Sequence, residues 1–162
     1  MLAAAVCVVC LGSALGHLRR PAALTAAIRA HAVIPAALAV PAAVATMLAE
    51  AAIGLGGVHA LLSGSLWLHP ITVAAAALMA AFTLYTLLTL RTGGAVPCGC
   101  SADRHPVSRW TAWRAGALAV LALSGPLLPA RTASELAITL IAGLAFATLL
   151  WHLPSAMEVR AP

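Results

Sequence analysis

Long apolar runs broken by short polar patches set the pattern of this chain. Five runs reach or approach the roughly 20 residues that carry a helix across a bilayer: residues 2–16, 36–62, 70–90, 111–128 and 134–153. None of them alternates polar with apolar positions, and alanine dominates them, so helices are expected rather than strands. The second run starts earlier, at Ala32, and holds Pro35 and Pro41. Proline suits the first turn of a helix and not its interior. Pro41 is therefore expected to open the deep part of this span and to leave Ala32 to Val40 as a tilted approach. Between the first two runs, HLRRPAALTAAIRAH (His17 to His31) is amphipathic and is expected to lie at the membrane interface.

Composition sharpens the picture. Hydrophobic residues make up 63% of the 162 residues and charged residues 8%, where a soluble domain carries about 25% charged residues. Too little polar surface exists to cover a water-facing globule. The expected fold is an all-α integral membrane protein, one domain over residues 1–162, built as a bundle of four to five transmembrane helices. GSALG (Gly12 to Gly16) and the cluster Gly54, Gly56 and Gly57 offer close helix approach. Trp67, Trp110, Trp113 and Trp151 fall near span ends, as an aromatic belt places them.

The net charge of +5 comes entirely from arginine among the cations. Arg19, Arg20 and Arg29 follow the first run, and Arg91, Arg104, Arg109 and Arg114 surround the loop after the third. Such clustering between apolar runs is the pattern of cytoplasmic loops, not of a nucleic-acid surface, and no nucleic-acid partner is expected. The bias places the first and third loops and the C-terminus in the cytoplasm and the N-terminus outside. Residues 1–16 have the length of a signal-peptide core but lack its basic leading segment, so they read as a retained span. Cleavage there would reverse the sides.

All four cysteines come in close pairs. CVVC (Cys7, Cys10) has the spacing of dithiol redox motifs, and residues three apart share a helix face. Buried packing is the competing reading for this pair. In AVPCGCSAD, Cys98 and Cys100 point to one side of an extended segment, and a disulfide between them closes a small, readily reduced ring. Gly99 relieves part of the strain, Pro97 and Pro106 bound the loop, and Arg91, Arg104 and Arg109 favour the thiolate. A metal held by Cys98, Cys100, Asp103 and His105 is the alternative, although zinc sites favour wider cysteine spacing; no metal ligand is assigned.

These residues carry a resemblance. LAEAAIGLG (Leu48 to Gly56), TLRTGGAVPCGC (Thr89 to Cys100) and VSRWTAWRAGAL (Val107 to Leu118) resemble the MauE family of methylamine-utilisation membrane proteins, grouped with DoxX-like proteins. The likeness covers about the middle half of the chain. Ser101 and Ala102 replace the Phe-Gly that follows the paired cysteines in the family, and Ala115 replaces an Asn that often follows the arginine matched by Arg114. The resemblance implies a multi-pass protein of the bacterial cytoplasmic (inner) membrane that forms or maintains disulfides of exported proteins with a thioredoxin-like partner. For the namesake, the client is a disulfide-rich subunit of methylamine dehydrogenase.

Glu50 is the one acid deep within an expected span, and an ionisable group there is a functional candidate. It is placed to pair with Arg114 or to handle protons for thiol chemistry. His59 reads as a packed or interfacial side chain. His17, His31, His69 and His152 fall at span ends, where imidazole meets water and headgroups, and Tyr85 receives no role. The expected activity is thiol–disulfide exchange at Cys98 and Cys100, with Cys7 and Cys10 as a second pair and Glu50, Arg91 and Arg114 in support. Arginine placement puts Cys98 and Cys100 inside, while exported disulfides form outside. A relay between the two pairs reconciles these, and a quinone is an alternative electron acceptor, without a motif of its own. The rivals are a non-enzymatic scaffold for a thioredoxin-like partner and a metal-binding transporter using the Cys-Gly-Cys loop with Glu50.

Overall fold

The computed structural model describes residues 2–92, 106–123 and 132–158. Six helices follow one another: α1 (Leu2–Arg19), α2 (Pro21–His31), α3 (Ala39–Ser63), α4 (Leu68–Arg91), α5 (Arg109–Leu123) and α6 (Ala133–Glu158), with a single 3₁₀ turn over Ala36–Leu38 before α3. No β-strand occurs among the described residues. The chain is the all-α membrane bundle its apolar runs call for.

Helix ends follow local chemistry. Pro21 opens α2 and Pro41 sits in the first turn of α3, positions where the missing N–H has no helical partner to lose. Gly64, at φ 62°, ends α3 in the left-handed conformation, and the Ser65 N–H closes back on the Ala60 carbonyl at 3.0 Å. At the head of α6, the Glu135 N–H donates to Thr132 Oγ1 (3.2 Å) and the Thr132 N–H to Glu135 Oε2 (3.0 Å). That reciprocal pair caps the helix. Along α4 the hydroxyls of Thr72, Thr83, Thr86 and Thr89 each donate to a carbonyl one turn back, so none enters lipid unsatisfied.

Three helical stretches are long and apolar enough to cross a membrane: Ala36–Ser63, Leu68–Arg91 and Ala133–Leu150. A fourth crossing arises if α1 and α2 count as one broken span; they meet at 97° around Arg20 and Pro21. The expected span 111–128 is described only to Leu123, as part of α5. Within the amphipathic stretch, Pro21–His31 forms a helix of its own. Its apolar Leu24 and Ile28 pack against Ala39 and Ala43 at the head of α3.

Large apolar side chains face outward from the bundle. Leu48, Leu55 and Leu62, spaced seven apart on α3, are each at least 60% exposed and form a lipid-facing stripe. The most sequestered large side chains are Glu50, Val6, Thr89, Cys7 and Cys10. Trp67 marks one end of the bundle; Trp110 and Trp113 mark the other.

Candidate functional site

On α1, Cys7, Cys10, Ser13 and His17 recur at steps of three, three and four, so they share one face. All four are buried. On α3, Glu50, Gly54 and Gly57 share a face for the same reason, and the two faces meet antiparallel. A Cβ added at Gly57 would overlap Cys7 Sγ, and one at Gly54 would stand 2.6 Å from Leu11 Cγ and 3.0 Å from the Leu11 backbone nitrogen. The helices therefore approach to a separation only glycine permits. In this register Glu50 lies opposite Ser13 and His17.

Ser13 Oγ donates to Glu50 Oε1 at 2.7 Å. Its single hydrogen is thereby spent, so the 3.3 Å contact with His17 Nε2 has the imidazole donating to Ser13. Glu50 Oε2 is 3.5 Å from the same Nε2, a close contact and not a hydrogen bond, and it has no hydrogen-bond partner although it is fully buried.

Below this group the helices part around a cavity of about 350 Å³. Ser13, His17 and Glu50 line one side; His31, Tyr85 and Arg114 also face it, and the rest is mainly apolar. His31 Nδ1 and Tyr85 Oη hydrogen-bond at 2.9 Å, tying the end of α2 to α4. Thr89 and Val107 are further lining residues. They stand near the two ends of the segment 93–105, which contains Cys98 and Cys100 and lies outside the described residues. Residues of α2, the end of α4 and the start of α5 converge here, so the six described arginines collect at one end of the bundle.

Cys7, Cys10 and Glu50 are thus brought together as candidates from the sequence. Arg114 shares the cavity with Glu50, and Ser13 and His17 contact the carboxylate. Arg91 is exposed at the end of α4 and does not line the cavity. Arg104, Asp103 and His105 lie outside the described residues with the Cys-Gly-Cys loop. Two expectations are corrected: His17 and His31, read as meeting water at span ends, are each 4% exposed. The sharp turn at Pro21 folds α2 back over the bundle and encloses them. Tyr85, given no role, is the partner of His31. The four-residue step from Ser13 to His17 was the available signal.

The family comparison decides between several ways of reading such a bundle: residues 1–128 match the family of Methylamine utilisation protein MauE. The chain belongs to the MauE family. Comparison with curated proteins found no match, and comparison with solved structures found none either. In this MauE-family chain the match spans α1 to α5, and so every described residue of the Glu50 group and its cavity.

Proposed function

We propose that this MauE-family protein is a thiol–disulfide redox protein of the bacterial cytoplasmic membrane. It serves disulfide formation or maintenance in exported proteins together with a thioredoxin-like partner, and methylamine dehydrogenase maturation is the client process its family name suggests. One observation carries the reading: two buried thiols share a face of α1 with a buried hydroxyl and imidazole, and these two meet the buried carboxylate of α3 at the wall of a cavity. Dithiol exchange moves protons with electrons, and such a group can take and return them.

In this reading Cys98 and Cys100 exchange with the thioredoxin-like partner. A thiolate attacks one sulfur of a disulfide, a mixed disulfide forms, and the second cysteine of the attacking pair resolves it. One pair loses two electrons and two protons and the other gains them. Cys7 and Cys10 form the second station, so electrons pass between the two pairs across the membrane. The collection of the described arginines at one end supports a cytoplasmic location for the α4–α5 loop.

The test is acid quenching of cells followed by differential alkylation and mass spectrometry of each cysteine. A Cys98–Cys100 disulfide in part of the population, lost on mild reduction and absent in Cys98→Ser, is the expected result. Thiols that stay fully reduced under oxidant would overturn the proposal. Intact client oxidation in the Cys7→Ser, Cys10→Ser double variant would remove the second station.

A further inference from the structure

Cys7 and Cys10 are sealed in the bundle, at 2% and 0% exposed. Cys7 faces α3: its sulfur fills the space that a side chain at Gly57 would take, and its Cβ stands 3.3 Å from where the added Cβ would be. Leu11 sits against Gly54 in the same way, and Ser13 bonds Glu50 across the same two helices at 2.7 Å. The seat of Cys7 at Gly57 is therefore part of the close approach of α1 to α3. The reduced pair fits that seat; a Cys7–Cys10 disulfide does not. Three residues apart on a helix, Cβ atoms lie about 5–6 Å from each other, and a disulfide brings them to about 3.5–4.5 Å. Helical side chains lean toward the N-terminus, so it is Cys7, the earlier of the two, that must swing round to meet Cys10. The swing takes its sulfur out of the Gly57 notch, and closing the gap distorts the turn of α1 between them.

We propose that Cys7 and Cys10 form a redox latch between α1 and α3. As thiols they let Cys7 seat at Gly57 and the helices close; as a disulfide they unseat it and loosen the contact that carries the Ser13–Glu50 bond. The inference deepens the proposed function, in which this pair is the second station, and rests on that reading for its oxidant, a protein disulfide. Two thiols lose two electrons and two protons and become one disulfide, and the oxidising disulfide takes them and becomes two thiols. The sulfurs become reachable when α1 and α3 part transiently, and the disulfide then holds the parted state. Opening and closing of the two helices follows the passage of electrons.

The experiment uses the full chain in detergent with Cys98→Ser and Cys100→Ser, so that only the α1 pair reacts. Dithiodipyridine, a small apolar disulfide, is the oxidant. Mass spectrometry reads the Cys7–Cys10 disulfide, and amide hydrogen exchange reads the helices. A disulfide is expected to form and to quicken exchange about tenfold or more from Cys7 to His17 and from Glu50 to Gly57, with α4 unchanged and reversal by dithiothreitol. Gly57→Ala, whose Cβ would overlap the sulfur, should speed formation of the disulfide roughly tenfold. Gly16→Ala, with nothing near the added Cβ, should leave it unchanged. No disulfide, a disulfide that leaves exchange in α1 and α3 unmoved, or equal rates in Gly57→Ala and Gly16→Ala would overturn the latch. If client oxidation needs Cys7 and Cys10 while their disulfide leaves exchange unmoved, the latch fails and the thiol reading stands. Opening by the reagent in a protein whose cysteines never oxidise in cells would support the latch and sink the proposed function.

Discussion

The two halves of the bundle solve opposite problems with the same helices. In one, α1 and α3 close to glycine contact, and Val6, Cys10, Ile53, Ala75 and Ala122 fill a core of small side chains. In the other, the same two helices part around a cavity, and polar side chains appear on their inner faces. In lipid, apolar surfaces gain little by meeting one another, so contact must come from close packing or from polar bonds. The first half uses packing. The second uses the Ser13–Glu50 and His31–Tyr85 bonds. Both cysteines of α1 belong to the packed half, and their proton-handling neighbours to the open half.

The contrast is broken most severely at Gly57. Leucine there would drive its Cβ into Cys7 Sγ and push α1 off α3. Gly57→Leu is expected to cost about 3 kcal/mol or more, read as a large fall in the thermal midpoint in detergent. Gly16 has nothing within 4 Å of an added Cβ, so Gly16→Leu should stay within about 0.5 kcal/mol. Equal effects at the two positions would mean that the halves do not differ in packing.

How much of this was legible follows from the same geometry. The apolar runs located α3, α4 and α6 because helix length in a bilayer is set by thickness, a property of composition alone. Glu50 stood out because a single acid in such a run has no ordinary reason to be there. The Gly54 and Gly57 contact was readable as a small-residue cluster, but GSALG was equally readable and turns outward, with Gly12 and Gly16 exposed. Nothing in a repeat of small residues states which face meets a neighbour; that depends on the register of α1 against α3. The same limit hid the Glu50–Ser13–His17 group. Cys98 and Cys100, the strongest motif in the chain, lie outside the described residues, so their reading rests on spacing.

Removing the polar core of the open half comes next in size. Glu50→Ala leaves Ser13 without its acceptor and is expected to cost about 2 kcal/mol. Glu50→Gln keeps an acceptor for Ser13 and should cost less than half as much. Unchanged thermal midpoints in both would show that this half is held by packing too. Tyr85→Phe is smaller: it deletes the 2.9 Å bond to His31 at a cost of about 1 kcal/mol. Its signature is local. Amide exchange should quicken in α2 and stay unchanged in the first ten residues of α1, and uniform quickening would refute the idea that this bond pins α2.

The smallest effect lies at the turn that ends α2. Ala32 ends α2 at φ 54°, the one non-glycine residue with positive φ among those described. An alanine in that conformation costs about 1 kcal/mol relative to glycine, because its Cβ crowds the backbone. Ala32→Gly removes that strain but frees the unfolded chain, which returns about 0.4–1 kcal/mol. A net gain of up to about 0.5 kcal/mol is therefore expected, read as a small rise in the thermal midpoint. Ala32 is exposed and has no packing of its own to lose. A loss of stability on this substitution would mean that the left-handed turn is imposed by α2 docking and α3 approach together. The open half would then be held by this turn as well as by its hydrogen bonds.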